Sequence, residues 1–144
     1  MLSRRRPFGW LALVAVCTLT ACTSSPSSSG QLATVLVTSQ NLQFLTAESS
    51  DSEAEAQAAF EGNLTVDDSA CLGLVVDEQT IGVVFPAGTT VTDDESSVIL
   101  PDNSRLSTGG HVSLGGGYYP RERLSTGDPE NACKYSEYFV VGSL

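Results

Sequence analysis

Histidine, methionine, tryptophan and lysine each occur once in this chain of 144 residues. A single imidazole, His111, excludes any metal site built from several histidines, and a Ser-His-Asp triad would have to use that residue. No Gly-x-Ser-x-Gly elbow accompanies it, so His111 beside Gly109-Gly110 reads as a turn or strand-start residue. Zinc-type CxxC or His-x-His spacing is missing, as is a calcium loop of the Asp-x-Asp-x-Asp-Gly kind. Basic residues are few, 7 against 17 acidic. That balance argues against nucleic acid, which needs a basic face. A glycosidase needs two acids held across a cleft, for which a chain this short has little room. No motif asks for a cofactor or marks a catalytic residue. The chain also lacks an apolar stretch of the roughly 20 residues a membrane-spanning helix requires.

The longest apolar run, Trp10–Leu19, is broken only by Thr18. It follows the basic front Arg4-Arg5-Arg6 and precedes small residues. A basic n-region, a short apolar h-region and a small-residue cleavage site form an export signal, here residues 1–21. Its end, Leu19-Thr20-Ala21-Cys22, resembles the lipobox of bacterial lipoprotein precursors. The resemblance implies that a diacylglyceryl group is attached to the Cys22 thiol and that a peptidase cuts before it. Cys22 then becomes the N-terminus, held to membrane lipid on the extracytoplasmic face of the cell membrane. Two or more acyl chains, such as palmitate, anchor stably where one does not. Arg5-Arg6-Pro7-Phe8 also has the twin-arginine form of signals for folded cargo, so the export route is open between that and the general secretory one.

Removal of the signal leaves four basic residues against 17 acidic ones, a net charge of −13. So much acid keeps a surface protein soluble and opposes direct docking on anionic head groups. Cation binding is the sharper alternative. Three cysteines remain, and with Cys22 lipidated the other two, Cys71 and Cys133, read as one disulfide in an exported protein. Free thiols are the alternative. A loop of about 60 residues closed in this way contributes roughly 4 kcal/mol by restricting the unfolded chain.

Residues 22–30 form the lipidated cysteine and a Ser-rich, flexible tether. Residues 31–61 form an N-terminal extension. Its first half is apolar at Leu32, Val35, Leu36, Leu42, Phe44 and Leu45, which fit neither the helical nor the strand period. Ser50-x-x-Glu53 has the form of a capping box, and Ala54–Phe60 are strong helix formers, so one short helix is expected over Asp51–Phe60 with Gly62 as its stop. From residue 62 to 144 the pattern is period two: Leu64 and Val66; Leu72, Leu74 and Val76; Ile81, Val83 and Phe85; Val98 and Leu100; Val112 and Leu114; Phe139 and Val141. Turn residues bound each run: Asp67-Asp68-Ser69, Asp77-Glu78, Pro86-Ala87-Gly88, Pro101-Asp102-Asn103 and Gly109-Gly110. The expected fold is mainly β: a small antiparallel, OB-like barrel of about six short strands, favoured over a sandwich because closure removes exposed edges.

Three stretches carry a further likeness. Val83-Val84-Phe85-Pro86-Ala87-Gly88-Thr89-Thr90, Val98-Ile99-Leu100-Pro101-Asp102 and Val112-Ser113-Leu114-Gly115-Gly116-Gly117 resemble a family of small lipoproteins from high-GC Gram-positive bacteria. The likeness covers about residues 62–144, its motifs are structural, and it implies no particular activity.

Gly115-Gly116-Gly117 lacks the Lys and the helix of a phosphate loop and reads as a strand end with a bulge or bend. Tyr118, Tyr119, Arg121 and Arg123 follow. They form the one aromatic and basic cluster of the mature chain. Aromatic faces with arginines suit contact with an envelope polymer or a protein partner. A loop closing over the barrel mouth is the plainer alternative. The function expected is that of a non-catalytic binding or structural module of the cell envelope; a small cell-wall-acting enzyme and a weak cation-binding domain are the alternatives.

Overall fold

The structure is a computed structural model, and it describes residues 30–49, 58–126 and 133–142. The lipobox with Cys22, the tether up to residue 29 and the capping box lie outside these residues.

The period-two stretches are strands. Leu32–Ser39 (β1), Leu42–Ala47 (β2), Ala58–Val66 (β3), Leu72–Val76 (β4) and Gln79–Phe85 (β5) come first. Thr90–Val91 (β6), Ser97–Ile99 (β7) and Arg105–Ser107 (β8) form a separate three-stranded sheet. His111–Pro120 (β9), Leu124–Thr126 (β10) and Glu137–Val141 (β11) complete the chain, with one 3-10 turn at Arg121–Arg123. Five strands close a barrel in the ring order β3-β4-β5-β11-β9 and back to β3. All its pairings are antiparallel except β5 with β11. Closure therefore decides for the barrel over the sandwich. The strands exceed the expected six because the hairpin β1–β2, the small sheet β6–β8 and β10 lie outside the ring.

The alternating residues become the barrel core. Leu64, Leu72, Leu74, Ile81, Val83, Phe85, Val112, Leu114, Phe139 and Val141 are all buried in one cluster, with Phe60 beside Phe139 at 5.5 Å between ring centroids. Val66 is the exception, exposed at the end of β3. Val98 and Leu100, carried by the small sheet inserted between β5 and β9, join the same cluster. Each such side chain contributes about 1.5–3 kcal/mol on burial.

The expected helix does not form where it can be followed. Ala58, Ala59 and Phe60 open β3 and pair with Gly116, Gly115 and Leu114; the rest of that segment lies outside the described residues. Helix propensity is a few tenths of a kcal/mol per residue, whereas Phe60 gains full burial by joining the barrel. Gly62 is no helix stop either. It lies within β3, where a Cβ would meet the Val75 carbonyl at 2.3 Å and the Phe60 ring at 2.6 Å. The three glycines at 115–117 likewise do not end a strand. They lie inside β9, and a side chain on Gly116 would strike the Val140 carbonyl at 2.0 Å.

The ambiguous stretch is the hairpin β1–β2, and it belongs to the same eight-stranded sheet as the barrel, order β10-β1-β2-β5-β11-β9-β3-β4. β5 pairs with β4 along its first half and with β2 at Val84 and Phe85. Leu42 and Phe44 of β2 reach the barrel core, where Phe44 meets Phe85 edge-on at 5.9 Å. Leu45 turns the other way, to an outer core with Val84, Tyr138 and Val140, against which Leu32, Leu36, Tyr119, Leu124 and Tyr135 pack. A strand buried on both faces, as β2 is, shows no clean period.

Candidate functional site

Cys71 and Cys133 form a disulfide across 62 residues, with Cα atoms 5.7 Å apart and both residues buried. The bond ties the turn after β3 to the segment that leads into β11. That segment lies over the outside of the barrel where Gly73 faces Gly82. A Cβ on Gly82 would sit 2.3 Å from the Tyr138 ring and 2.7 Å from that of Tyr135; on Gly73 it would sit 2.9 Å from the Tyr135 hydroxyl. The two glycines thus make a groove for two tyrosines, which meet edge-on at 5.9 Å. Tyr135 Oη donates to Asp67 Oδ2 at 2.7 Å, and Tyr138 Oη donates to the Cys133 carbonyl. Burial pushes both phenols above their ordinary range, and for Tyr135 the neighbouring carboxylate pushes further in the same direction.

The tyrosine and arginine cluster begins where β9 runs along β11. Strand alternation divides it. Tyr118, opposite Phe139, packs edge-on against that ring at 5.0 Å and remains 45 % exposed. Tyr119, opposite Tyr138, turns to the outer core. The chain then makes its 3-10 turn, held by the Arg121 amide donating to the Ser136 carbonyl at 3.1 Å. The Arg123 guanidinium lies over the Tyr119 ring, 5.3 Å from its centroid. Arg121 is half-buried and lines a cavity of about 240 Å³ with Gln31, Leu45, Leu124, Ser125, Thr126 and Tyr138. The structure therefore brings Tyr119, Arg121 and Arg123 to one place and puts Tyr118 on the other face of the strand.

Of the cavity residues only Arg121 carried a sequence signal of a site. Ser125 and Thr126 belong to β10, three residues long, which pairs in parallel with β1. Gln31 stands just before β1, and its Nε2 donates to the Glu122 carbonyl at 3.2 Å. Tyr138 sits in β11 among apolar neighbours. The sheet order β10-β1-β2-β5-β11 gathers them.

His111 starts β9, exposed and paired with Asn63. It lies eight residues from Tyr119 along the strand, about 26 Å at 3.3 Å per residue. The acids serve the turns. Asp67 Oδ1 accepts the amides of Ser69 and Cys71 at 2.8 and 2.9 Å. Asp102 Oδ1 accepts that of Ser104 at 2.8 Å. Asp94 accepts the Thr92 hydroxyl at 2.6 Å and the Ser96 hydroxyl and amide, which lower its pKa to about 2. Among the described residues no three side chains of His, Cys, Asp or Glu converge. None of the helices among them is long and apolar enough to cross a membrane. No protein family, curated protein or solved structure matches the chain.

Proposed function

We propose that the chain is a lipid-anchored lipoprotein on the extracytoplasmic face of a bacterial cell membrane, and that its barrel is a non-catalytic binding module of the cell envelope. The anchor rests on Leu19-Thr20-Ala21-Cys22 behind a basic and apolar leader, and on the polar tether that follows. The Cys71–Cys133 bond suits an oxidising compartment. The binding reading is carried by one observation: Tyr119, Arg121 and Arg123 gather beside a cavity on a domain with four basic and 17 acidic residues.

The barrel itself is read as OB-like, because five strands close in a ring with a single parallel pair. In OB barrels the outside of the second and third strands, with the loops after the first and fourth, holds oligosaccharides or oligonucleotides. The matching outer face here, on β4 and β5, is covered by Tyr135 and Tyr138. That leaves the connection after β9, the fourth strand of the ring, where Arg121 and Arg123 lie. Strong net negative charge opposes nucleic acid there, so an envelope polymer or a protein is the partner proposed.

Two measurements test this. Cells fed labelled palmitate should yield a labelled protein in the membrane fraction, while Cys22→Ser should be unlabelled and released; an unlabelled wild type ends the anchor reading. Insoluble envelope polymer should retain the wild type and lose most of Tyr119→Ala/Arg121→Ala. Equal recovery of the two removes this site as the contact.

A further inference from the structure

The cavity beside Arg121 is the unfilled end of the outer core. The sheet continues past the barrel through β2, β1 and β10, and the side chains it turns toward β5 and β11 bury Leu45, Val84, Tyr138 and Val140. At the β10 end this packing stops short and leaves about 240 Å³. Leu45, Leu124 and the Tyr138 ring supply its apolar lining. Arg121, Gln31, Ser125 and Thr126 supply the polar part.

The polar lining has an uneven chemistry. Among the described residues it holds a guanidinium, an amide and the Thr126 hydroxyl, and no carboxylate, on a domain where acids outnumber bases about fourfold. Among the described residues the Arg121 guanidinium has no hydrogen-bond or ion-pair partner, although its backbone amide is pinned to Ser136. Arg123 is engaged on the Tyr119 ring nearby. The guanidinium of a half-buried arginine is a planar fork of donors, the shape that matches a carboxylate. The Thr126 hydroxyl, on the same face of β10 as Leu124, adds a donor beside it. One guanidinium balances one negative charge. The space, about 240 Å³, is smaller than the usual drug-sized pocket.

We propose that this cavity binds the carboxylate of a small organic acid, one sugar ring or one amino acid in size, with Arg121 as the anion-binding residue. The inference rests on the binding-module reading and names its ligand class. The apolar lining takes the body of the ligand, and Arg123 stacked on Tyr119 flanks it. The acid is either free or the terminal group of a longer envelope molecule; in both cases Arg121 meets the same group.

The test uses the mature lipoprotein in detergent, with glucuronate as the sugar acid, N-acetylalanine as the amino-acid carboxylate, and methyl glucoside and N-acetylalanine amide as their neutral counterparts. In ¹H–¹⁵N spectra at least one acid should shift the Arg121 Nε–H and the Ser125 and Thr126 amides saturably, and the neutral compounds should not. Which acid does so tells a sugar acid from an amino-acid carboxylate; displacement of that acid by soluble envelope polymer marks the terminal group of a longer molecule, and no displacement marks the free acid. Arg121→Gln should weaken binding at least tenfold, Arg121→Lys should weaken it less, and Arg105→Gln on β8 should change nothing. A melting curve establishes that each variant is folded; if Arg121→Gln is not, Arg121→Lys and Thr126→Val decide. No saturable shift with either acid, or equal binding by the folded Arg121 variants, overturns the proposal. A protein that retains envelope polymer but ignores both acids loses this inference and keeps the binding-module reading; one that does neither loses both.

Discussion

Tyr135 and Asp67 show how much one side-chain pair can hold. The phenol donates to a carboxylate that also accepts two turn amides, so it fastens the segment before β11 to the turn after β3. Burial and that carboxylate raise its pKa above the ordinary value of 10. The unfolded phenol ionises near pH 10 while the folded one keeps its proton, so the stability it contributes is complete below pH 10 and is lost as pH rises further. Tyr135→Phe should cost about 1–2 kcal/mol at neutral pH and make the alkaline fall shallower. It should not flatten that fall, because Tyr138 is raised too. Urea titrations from pH 7 to 11 measure both. Gly82→Ala places a methyl against Tyr138 and should cost about 1–3 kcal/mol or more, read from the same titrations. The turn acids were legible as turn residues because Asp bonds to its own following amides. The partners of Tyr135 were not, since Asp67 is 68 residues away.

At the scale of elements, short-range and long-range terms pulled apart in a few places. The Asp77-Glu78 turn joins β4 to β5 with both residues at positive φ, 49° and 66°. Two-residue hairpins of this hand favour Asn-Gly or Asp-Gly, and a side chain in that region costs about 1–2 kcal/mol. Glu78→Gly should therefore raise the stability by about 0.5–1 kcal/mol, measurable as a higher denaturation midpoint with unchanged slope. Residues 58–60 went the other way. Their composition favours a helix, but the edge they supply to β9 completes the ring. The disulfide belongs to this scale as well. Its pairing followed from assigning Cys22 to lipid, and its closure of 62 residues should be worth about 4 kcal/mol. Reduction, or Cys71→Ser with Cys133→Ser, should lower the melting temperature markedly and leave the sheet signal in circular dichroism intact at low temperature.

Across the whole molecule, two cores share β5, β11 and β9. Strand β5 is the hinge of this plan, with Val83 and Phe85 facing inward and Val84 outward. Leu45→Ala should therefore destabilise by about 2–5 kcal/mol, as much as a residue of the barrel interior, although Leu45 lies in the stretch with no readable period. Guanidinium unfolding of Leu45→Ala and of Leu74→Ala gives the comparison. The same mutation would also enlarge the cavity at Arg121, so the outer core couples stability to the proposed binding site.

The sequence by itself determined the barrel interior and its turns. Alternation is a property of neighbours, and a strand with one buried face writes it directly into the chain. The sequence also holds Leu19-Thr20-Ala21-Cys22 behind a basic and apolar stretch, the pattern on which the proposed anchor rests. Tertiary structure alone decided that the strands close into a ring, that residues 58–60 extend β3, and that β2 buries both faces. It alone split Tyr118 from Tyr119 and assembled the cavity from Gln31, Arg121, Ser125 and Thr126. The physical reason is the same in each case: these features depend on pairings between strands as far apart as β1 and β10. No local period or propensity encodes such a pairing, and the energy of burial and hydrogen bonding appears only once the sheet has formed.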